Sequence, residues 1–419
     1  MARLRILLPS FTGFRTFWVA QSLAEIGGRL TREVLPLIAV LVLGTSTAGM
    51  VGLRLAESLP VFLAAFLTSV VIDRLPRSKF LVGLNIVRGV VIAMVPILFW
   101  TNHLKQGELW AVVALLGITT LAYQSAVESY LPSFLDGDNL ALANQWLNGS
   151  ISVAEMVGPA LAGLLVQVFP ATNALWVEVA LLAGAVLIWR NGINTPSERT
   201  VEESSESLFQ HLRAGIDVLR GSERLRALLI VTIAISFGFG LVGSFYALYC
   251  IKTFHMPPAL YGVTVMMGGI GALVGSALSG RIARRVGMGT TIVIGLGGQV
   301  LATACIPLAQ GPLFVSFLFI FAAQLFGDMF GVMYDIYALT LRQTGTPDAV
   351  LGRVSTVFNL LEQSARMLAL VSAGIMSFWL PLRDILWIAM VPFAISVMVA
   401  AKPRIRGASA ASDASSMQR

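Results

Sequence analysis

Twelve apolar segments follow one another along this chain, each long enough to cross a bilayer, for which about 20 residues suffice. They run near residues 14–43, 49–72, 80–100, 109–131, 141–168, 171–189, 225–251, 258–280, 289–309, 312–337, 353–376 and 381–401. Charged residues make up 12% of the chain and hydrophobic residues 56%, whereas a soluble chain carries about 25% charged residues. A water-soluble core cannot absorb that excess, so lipid must be the solvent for most of the surface. In lipid every backbone polar group has to be satisfied within its own segment, which makes each segment a helix.

The net charge of +7 does not point to nucleic acid, because of where the charge falls. Lys and Arg concentrate at the N-terminus, in the even-numbered connections and in the tail. Lys105, Lys252 and Arg383 alone fall on the opposite side. That asymmetry places both termini on the cytoplasmic side of the membrane. The short run Ile6–Leu8 ends at Pro9 without a cleavage site, unlike a signal peptide. Cys250 and Cys305 stand apart, and His103, His211 and His255 are scattered. No metal ligand set and no cofactor are expected.

Two of the segments carry the same polar stripe. Asn144, Asn148, Ser152 and Glu155 recur 211 residues later as Ser355, Asn359, Gln363 and Arg366. Steps of four, four and three residues put each set on one helix face. The basic turns after spans 2 and 8 and the polar turns before spans 5 and 11 repeat at nearly the same offset. A chain of six spans plus six spans follows, with a pseudo-two-fold axis along the membrane normal and a polar seam facing the partner half. The expected units are an N-terminal bundle (1–190), a cytoplasmic linker with an amphipathic helix (191–224), a C-terminal bundle (225–402) and a disordered tail (403–419). In the linker Leu208, Leu212, Ile216 and Leu219 form the apolar stripe of a helix lying on the membrane face.

Ionised side chains at mid-bilayer cost about 2.5–3.5 kcal/mol on insertion scales, so each should meet a cavity or a partner. Span 1 carries Glu25, Arg29, Arg32 and Glu33 on one face, with Glu25 and Arg29 able to neutralise each other. Span 2 carries Arg54 and Glu57 at a similar depth, so cross-helix pairs with Arg32 and Glu33 are expected. In the second half the acids are Asp328 and Asp335 on span 10 and Glu362 on span 11. The repeat mates of Arg29 and Arg32 are Gly240 and Gly243, which would give the long span-1 side chains room. Glu155 and Arg366 are mates of opposite charge, expected to pair directly or through substrate in at least one conformation. Arg88 should pair with Asp73 or reach the cytoplasm, Glu178 should sit at the interface, and Glu128 and Asp335 should meet water at span ends. The formal dinucleotide fingerprint at Gly238, Gly240 and Gly243 lies inside an apolar span and reads as close helix packing.

The chain resembles the major facilitator superfamily over nearly its whole length. The superfamily's loop motif after span 2 is matched within residues 69–79 by Asp73, Arg74 and Arg77, with Ser69 and Pro76 in place of its glycines. The antiporter motif of span 5 is matched by Gly158, Pro159 and Gly163, with Ala162 replacing a glycine. Residues 138–163 and 341–353 look like the branch of macrolide-efflux proteins and the enterobactin exporter, many of which carry a basic residue where Val127 stands. The resemblance implies an all-α membrane protein in the major facilitator fold, working as a monomer by alternating access. Spans 1, 4, 7 and 10 would line a central cavity, 2, 5, 8 and 11 would flank it, and 3, 6, 9 and 12 would face lipid.

The expected function is proton-coupled efflux of a small molecule, polar or anionic, with a siderophore first. Arg29, Arg32, Arg54, Glu155, Arg366, Asn148, Asn359 and Gln363 are the candidate substrate ligands, since four guanidinium groups suit oxyanions. Tyr246, Tyr249, Tyr334 and Tyr337 are candidates to hold an amphipathic body. Glu25, Glu57, Asp328 and Glu362 are the candidate proton carriers, because an arginine partner exchanged between conformations loads and releases a proton. Asp73, Arg74, Arg77, Gly158 and Pro159 are the candidate gating residues. Import of a ferric siderophore, macrolide or multidrug efflux and lipid flipping are the alternatives. The sequence carries no nucleophile–base pair, so an enzyme is not expected.

Overall fold

The structure, a computed structural model, describes residues 12–65, 77–131, 137–192 and 208–406. Among them every regular element is helical. The first six helices are α1 (Thr12–Leu41), α2 (Thr47–Ala65), α3 (Arg77–Trp100), α4 (Gln106–Tyr130), α5 (Gly137–Val168) and α6 (Leu175–Gly192). The linker supplies α7 (Leu208–Gly221). Spans 7 to 11 are α8 (Glu223–Leu248), α9 (Pro258–Val286), α10 (Met288–Leu308), α11 (Leu313–Thr344) and α12 (Asp348–Met376). Span 12 is split into α13 (Leu382–Ile388) and α14 (Met390–Ala400), and a single turn, α15 (Pro403–Arg406), follows.

Among the described residues, eight helices are long and apolar enough to cross a membrane by length and composition alone. The four at the remaining expected positions are α1, α2, α6 and α12, and each carries at least one acid and one base. Large apolar side chains stand in the open, among them Leu301 and Trp379, each 75% exposed, and Phe378, 72% exposed. Soluble monomers rarely leave such surface uncovered.

The chain forms two compact units, Met1–Glu202 with Pro257–Met266, and Glu203–Met256 with Met267–Arg419. In the first, α1 packs on α5 and α6, α3 packs on α4 and α6, and α2 packs on α4. In the second, α8 packs on α12 and α14, and α10 packs on α11 and α14. These are the same neighbours moved on by one half of the chain. The linker helix belongs to the second unit. Gly215 of α7 lies so close to α12 that a Cβ there would stand 2.6 Å from the Arg353 carbonyl oxygen, and Leu219 is buried while Ile216 stays exposed. The tail expected to be disordered begins with α15, whose Ile405 is fully buried; residues 407–419 lie outside the described part.

Turn chemistry follows the repeat as well. Gly44, between α1 and α2, has φ 61°, and its mate His255, between α8 and α9, has φ 49°. Before His255 the helix widens into a π-turn at Tyr249–Thr253. Gly287 alone joins α9 to α10, at φ 85°. Its N–H donates to the Ala283 carbonyl at 2.9 Å and its carbonyl accepts from the Thr291 N–H at 3.1 Å, so the last bond of α9 and the first bond of α10 both end on this residue. Only glycine adopts that backbone without strain.

Candidate functional site

In the first unit α1, α4 and α5 surround a cavity of about 530 Å³. Its polar wall is Gln21, Glu25 and Arg29 from α1, Gln124 from α4, and Asn144 and Asn148 from α5. Val127, Leu131, Leu140, Leu147 and Ile151 supply the apolar wall. Beside the cavity α5 approaches α1 closely. A Cβ on Gly158 would stand 2.5 Å from Arg29 Cβ and 3.2 Å from the Leu30 nitrogen. Five residues on, Gly163 meets the opening turns of α9, and a Cβ there would lie 2.9 Å from the Gly262 Cα. Gly158 and Pro159, expected as gating residues, thus mark where α5 runs backbone against backbone.

Arg29 Nη2 donates to Glu155 Oε1 at 2.9 Å across this crossing. Glu25 Oε1 accepts from Gln21 Nε2 at 3.0 Å. The expected neutralisation of Arg29 by Glu25 within the helix is therefore replaced by a pair between helices. Trp18 closes the polar edge, with its indole N–H donating to Ser150 Oγ at 2.7 Å.

The other expected charges also find partners, though not the expected ones. Arg54 Nη1 bonds Glu57 Oε2 at 3.0 Å within α2. Glu33 accepts instead from the Tyr261 hydroxyl at 2.8 Å, and Arg32 is exposed. Each partner of the expected Glu155–Arg366 pair has a counter-charge within its own unit: Glu155 holds Arg29, and Arg366 Nη2 bonds Glu362 Oε1 at 2.8 Å, one turn away on α12. The α12 stripe of Asn359, Gln363 and Arg366 is exposed along its helix. Glu362, Arg366 and Asp328 all act electrostatically on Asp335, so the second unit gathers its charges on α11 and α12. Asp328 packs directly against Gly268 of α9.

Three expectations need correction. Glu178 is not interfacial: it is 1% exposed, because α6 begins at Leu175 and turns the residue inward. Arg88 does not extend to solvent: it is 5% exposed and lies 3.5 Å from Glu178, and its other expected partner, Asp73, lies outside the described residues. Of the two span-7 glycines expected to give room, Gly240 is occupied from within its own unit, while Gly243 has nothing within 4 Å of where a Cβ would stand. Gly238 is filled by the Phe393 ring, 2.9 Å from where a Cβ would stand, and Gly240 by Ala369, whose Cβ would be 2.6 Å away. Of the four candidate tyrosines, Tyr249 and Tyr334 are buried and cannot reach cargo here. Asp73 and Arg74 lie outside the described residues, as do the side chains of Arg77 and Glu128. Gln21 and Gln124 were missed, since a single glutamine in an apolar span carries no periodic signal.

The family model of the Major Facilitator Superfamily matches residues 9–370. The MFS-type transporter YfiS of Bacillus subtilis is 25% identical, over 88% of this chain and 87% of its own length. Macrolide efflux protein A of Streptococcus pyogenes is 23% identical, over 64% of this chain and 66% of its own. The multidrug efflux pump Tap of Mycobacterium tuberculosis is 25% identical, over 76% of each. Among solved structures, a bacterial homologue of the iron transporter ferroportin in its inward-facing state superimposes with a TM-score of 0.75 at 17% identity, covering 94% of this chain and 98% of that one. The apolar helices, the repeated packing and the family match agree: this chain is a multi-pass membrane transporter of small molecules, not an enzyme, and it belongs to the Major Facilitator Superfamily.

Proposed function

We propose that this transporter exports amphipathic organic molecules carrying a basic or cationic group, driven by the proton gradient of a bacterial inner membrane, with both termini cytoplasmic. The observation that carries this reading is the charge balance of the cavity. Arg29 is cancelled by Glu155 at 2.9 Å, while Glu25 faces the cavity with only an amide bonded to it. A pocket that offers a carboxylate, amides and apolar walls suits an amphipathic cation, with apolar burial supplying affinity and the few polar groups setting orientation. Oxyanion capture favours guanidinium groups whose charge is not cancelled, yet Arg29, Arg54 and Arg366 each face a carboxylate, which leaves the exposed Arg32 of the four candidates. That weighs against the siderophore expectation. Val127, which lines the cavity, supplies no cation where many relatives of the branch carry one. The efflux relatives, one named for macrolides and one for multiple drugs, support the same reading.

Accumulation of ethidium and of a macrolide, in a bacterial host stripped of its own pumps, tests this. Cells making the protein should accumulate less of both, and Glu25→Gln should abolish the difference. Unchanged accumulation of either compound, together with an iron-dependent loss of catechol compounds to the medium, would sink the cationic reading in favour of siderophore export.

A further inference from the structure

The first unit holds an ion pair that the cavity does not use. Glu178 of α6 and Arg88 of α3 lie 3.5 Å apart, 1% and 5% exposed. Two glycines of α1 admit them. A Cβ on Gly27 would stand 2.9 Å from Glu178 Cγ, and one on Gly28 3.0 Å from Arg88 Nη2. The pair is loosely held for so buried a place. Glu178 Oε2 and Arg88 Nε have no hydrogen-bond partner, and neither has Asn85 Oδ1, three residues before Arg88 on the same face of α3. Two permanent charges in such a place are repaid only by close geometry and full hydrogen bonding, and neither is present. The second unit shows that the fold does not need them. At the repeat mates of Arg88 and Glu178 stand Gln299 and Ala389, both uncharged.

A polar path leads from this pair to the cavity. The Arg88 guanidinium sits 5.3 Å from the centre of the Tyr123 ring. The Tyr123 hydroxyl donates to Gln21 Oε1 and Gln21 donates to Glu25. Tyr123 lies in the field of both Arg88 and Glu25. Arg88 is the charged group facing Glu178 from α3; α4 brings Tyr123, and α1 brings Glu25 only by way of Gln21.

We propose that Glu178 is the proton-binding site of this transporter, and that a proton there and a cation at Glu25 exclude one another. Protonation forms one O–H bond on the Glu178 carboxylate, using a proton from water, and breaks none in the protein. The ionised pair is neutral, so the bound proton leaves Arg88 with an uncancelled positive charge. That charge acts through Tyr123 and Gln21 on the site where cationic cargo binds. Cargo entry therefore drives the proton off Glu178, and proton entry drives cargo off Glu25. Asn85 Oδ1 is the unused acceptor on the face of α3 that carries Arg88. The inference rests on the cationic-export reading of the cavity.

Infrared difference spectra of the full chain in lipid, taken from about pH 9 to about pH 5 across the range in which buried carboxyl groups titrate, test the site without any cargo. A protonated-acid carbonyl band should grow in, vanish in E178Q and shift in E178D. Binding of tetraphenylphosphonium should weaken about tenfold over the same range in the unaltered protein, stay flat in E178Q and be weak throughout in E25Q. Release of a proton on tetraphenylphosphonium binding should likewise be lost in E178Q. A band that persists in E178Q, or proton release unchanged by it, overturns the proposal. Should E178Q fail to fold, E178D decides: an unshifted band overturns the proposal. If tetraphenylphosphonium does not bind the unaltered protein, the cationic-export reading fails, and the band alone decides whether Glu178 takes up a proton.

Discussion

The two halves build the same helix crossings from opposite residues. In the first, Gly158 of α5 makes way for Arg29 of α1. In the second, 211 residues on, Gly240 of α8 makes way for Ala369 of α12. The swap recurs where the flanking helices cross. Gly117 of α4 lies against α2, where a Cβ would stand 2.8 Å from the Glu57 carbonyl. Its mate is Asp328, whose side chain lies against Gly268, the mate of Glu57. Each crossing needs one small residue, because two helix backbones this close leave no space for two side chains. Which helix supplies it decides where charge can stand. The first half puts its long charged residue on α1, beside the cavity, and the second keeps α8 bare and puts its charge on α11 and α12. The repeat keeps the geometry of the crossings, and the two halves differ in which helix carries the charge.

The largest effects should come from filling the crossings. Gly158→Leu and Gly240→Leu each place a branched side chain into backbone, beyond the usual overpacking cost of about 1–3 kcal/mol. Both should lose the monodisperse peak in size-exclusion chromatography. If one half tolerates its leucine, the crossings are not equivalent. Next comes the charge at the active crossing. Glu155→Ala strands Arg29, and export should fall at least about tenfold, a change of about 1.4 kcal/mol. The double variant Arg29→Ala with Glu155→Ala should fold as well as the single one or better. Glu362→Ala should cost less, because Arg366 is half-exposed and can turn to water.

A smaller contrast concerns two tyrosines. Tyr123 bonds Gln21, and its mate Tyr334 meets Thr232, the mate of Gln21, at 3.3 Å. Tyr123→Phe also orphans a buried amide oxygen, so it should cost about 1–2 kcal/mol in thermal unfolding and Tyr334→Phe about half as much. The smallest effect lies in the turns. His255→Gly should stabilise by up to about 1 kcal/mol, because a side chain in the left-handed region carries strain that its mate Gly44 avoids. No gain in melting temperature would mean that the imidazole holds that turn by contacts of its own.

Most of this fold could be read from the chain. Apolar runs located the spans, since lipid forces long uncharged helices, and the 211-residue offset predicted that the two halves would be built alike. The same offset exposed Gly240 as the mate of Arg29, but not why. A glycine in a list of mates looks like room for the other half's side chain, and only packing shows that Ala369 occupies it. The pairings of Arg29 with Glu155 and Arg54 with Glu57 were open for another reason. Several acids and bases shared a depth, and spacing alone does not say whether a residue pairs one turn away, as Arg54 does with Glu57, or across to a neighbouring helix, as Arg29 does with Glu155. The pair of Glu178 and Arg88 was missed outright. The two are 90 positions apart, and a carboxylate in the first turn of a helix reads as a group in water until the inward face of α6 is known.

The single-residue joint at Gly287 limits how this molecule can change shape. With one residue between them, α9 and α10 cannot lengthen their connection, and any change in the angle between them has to be taken up in the φ and ψ of Gly287. A second soft place is the π-turn at Tyr249–Thr253, where one extra residue per turn already loosens the ladder and the chain can act as a hinge.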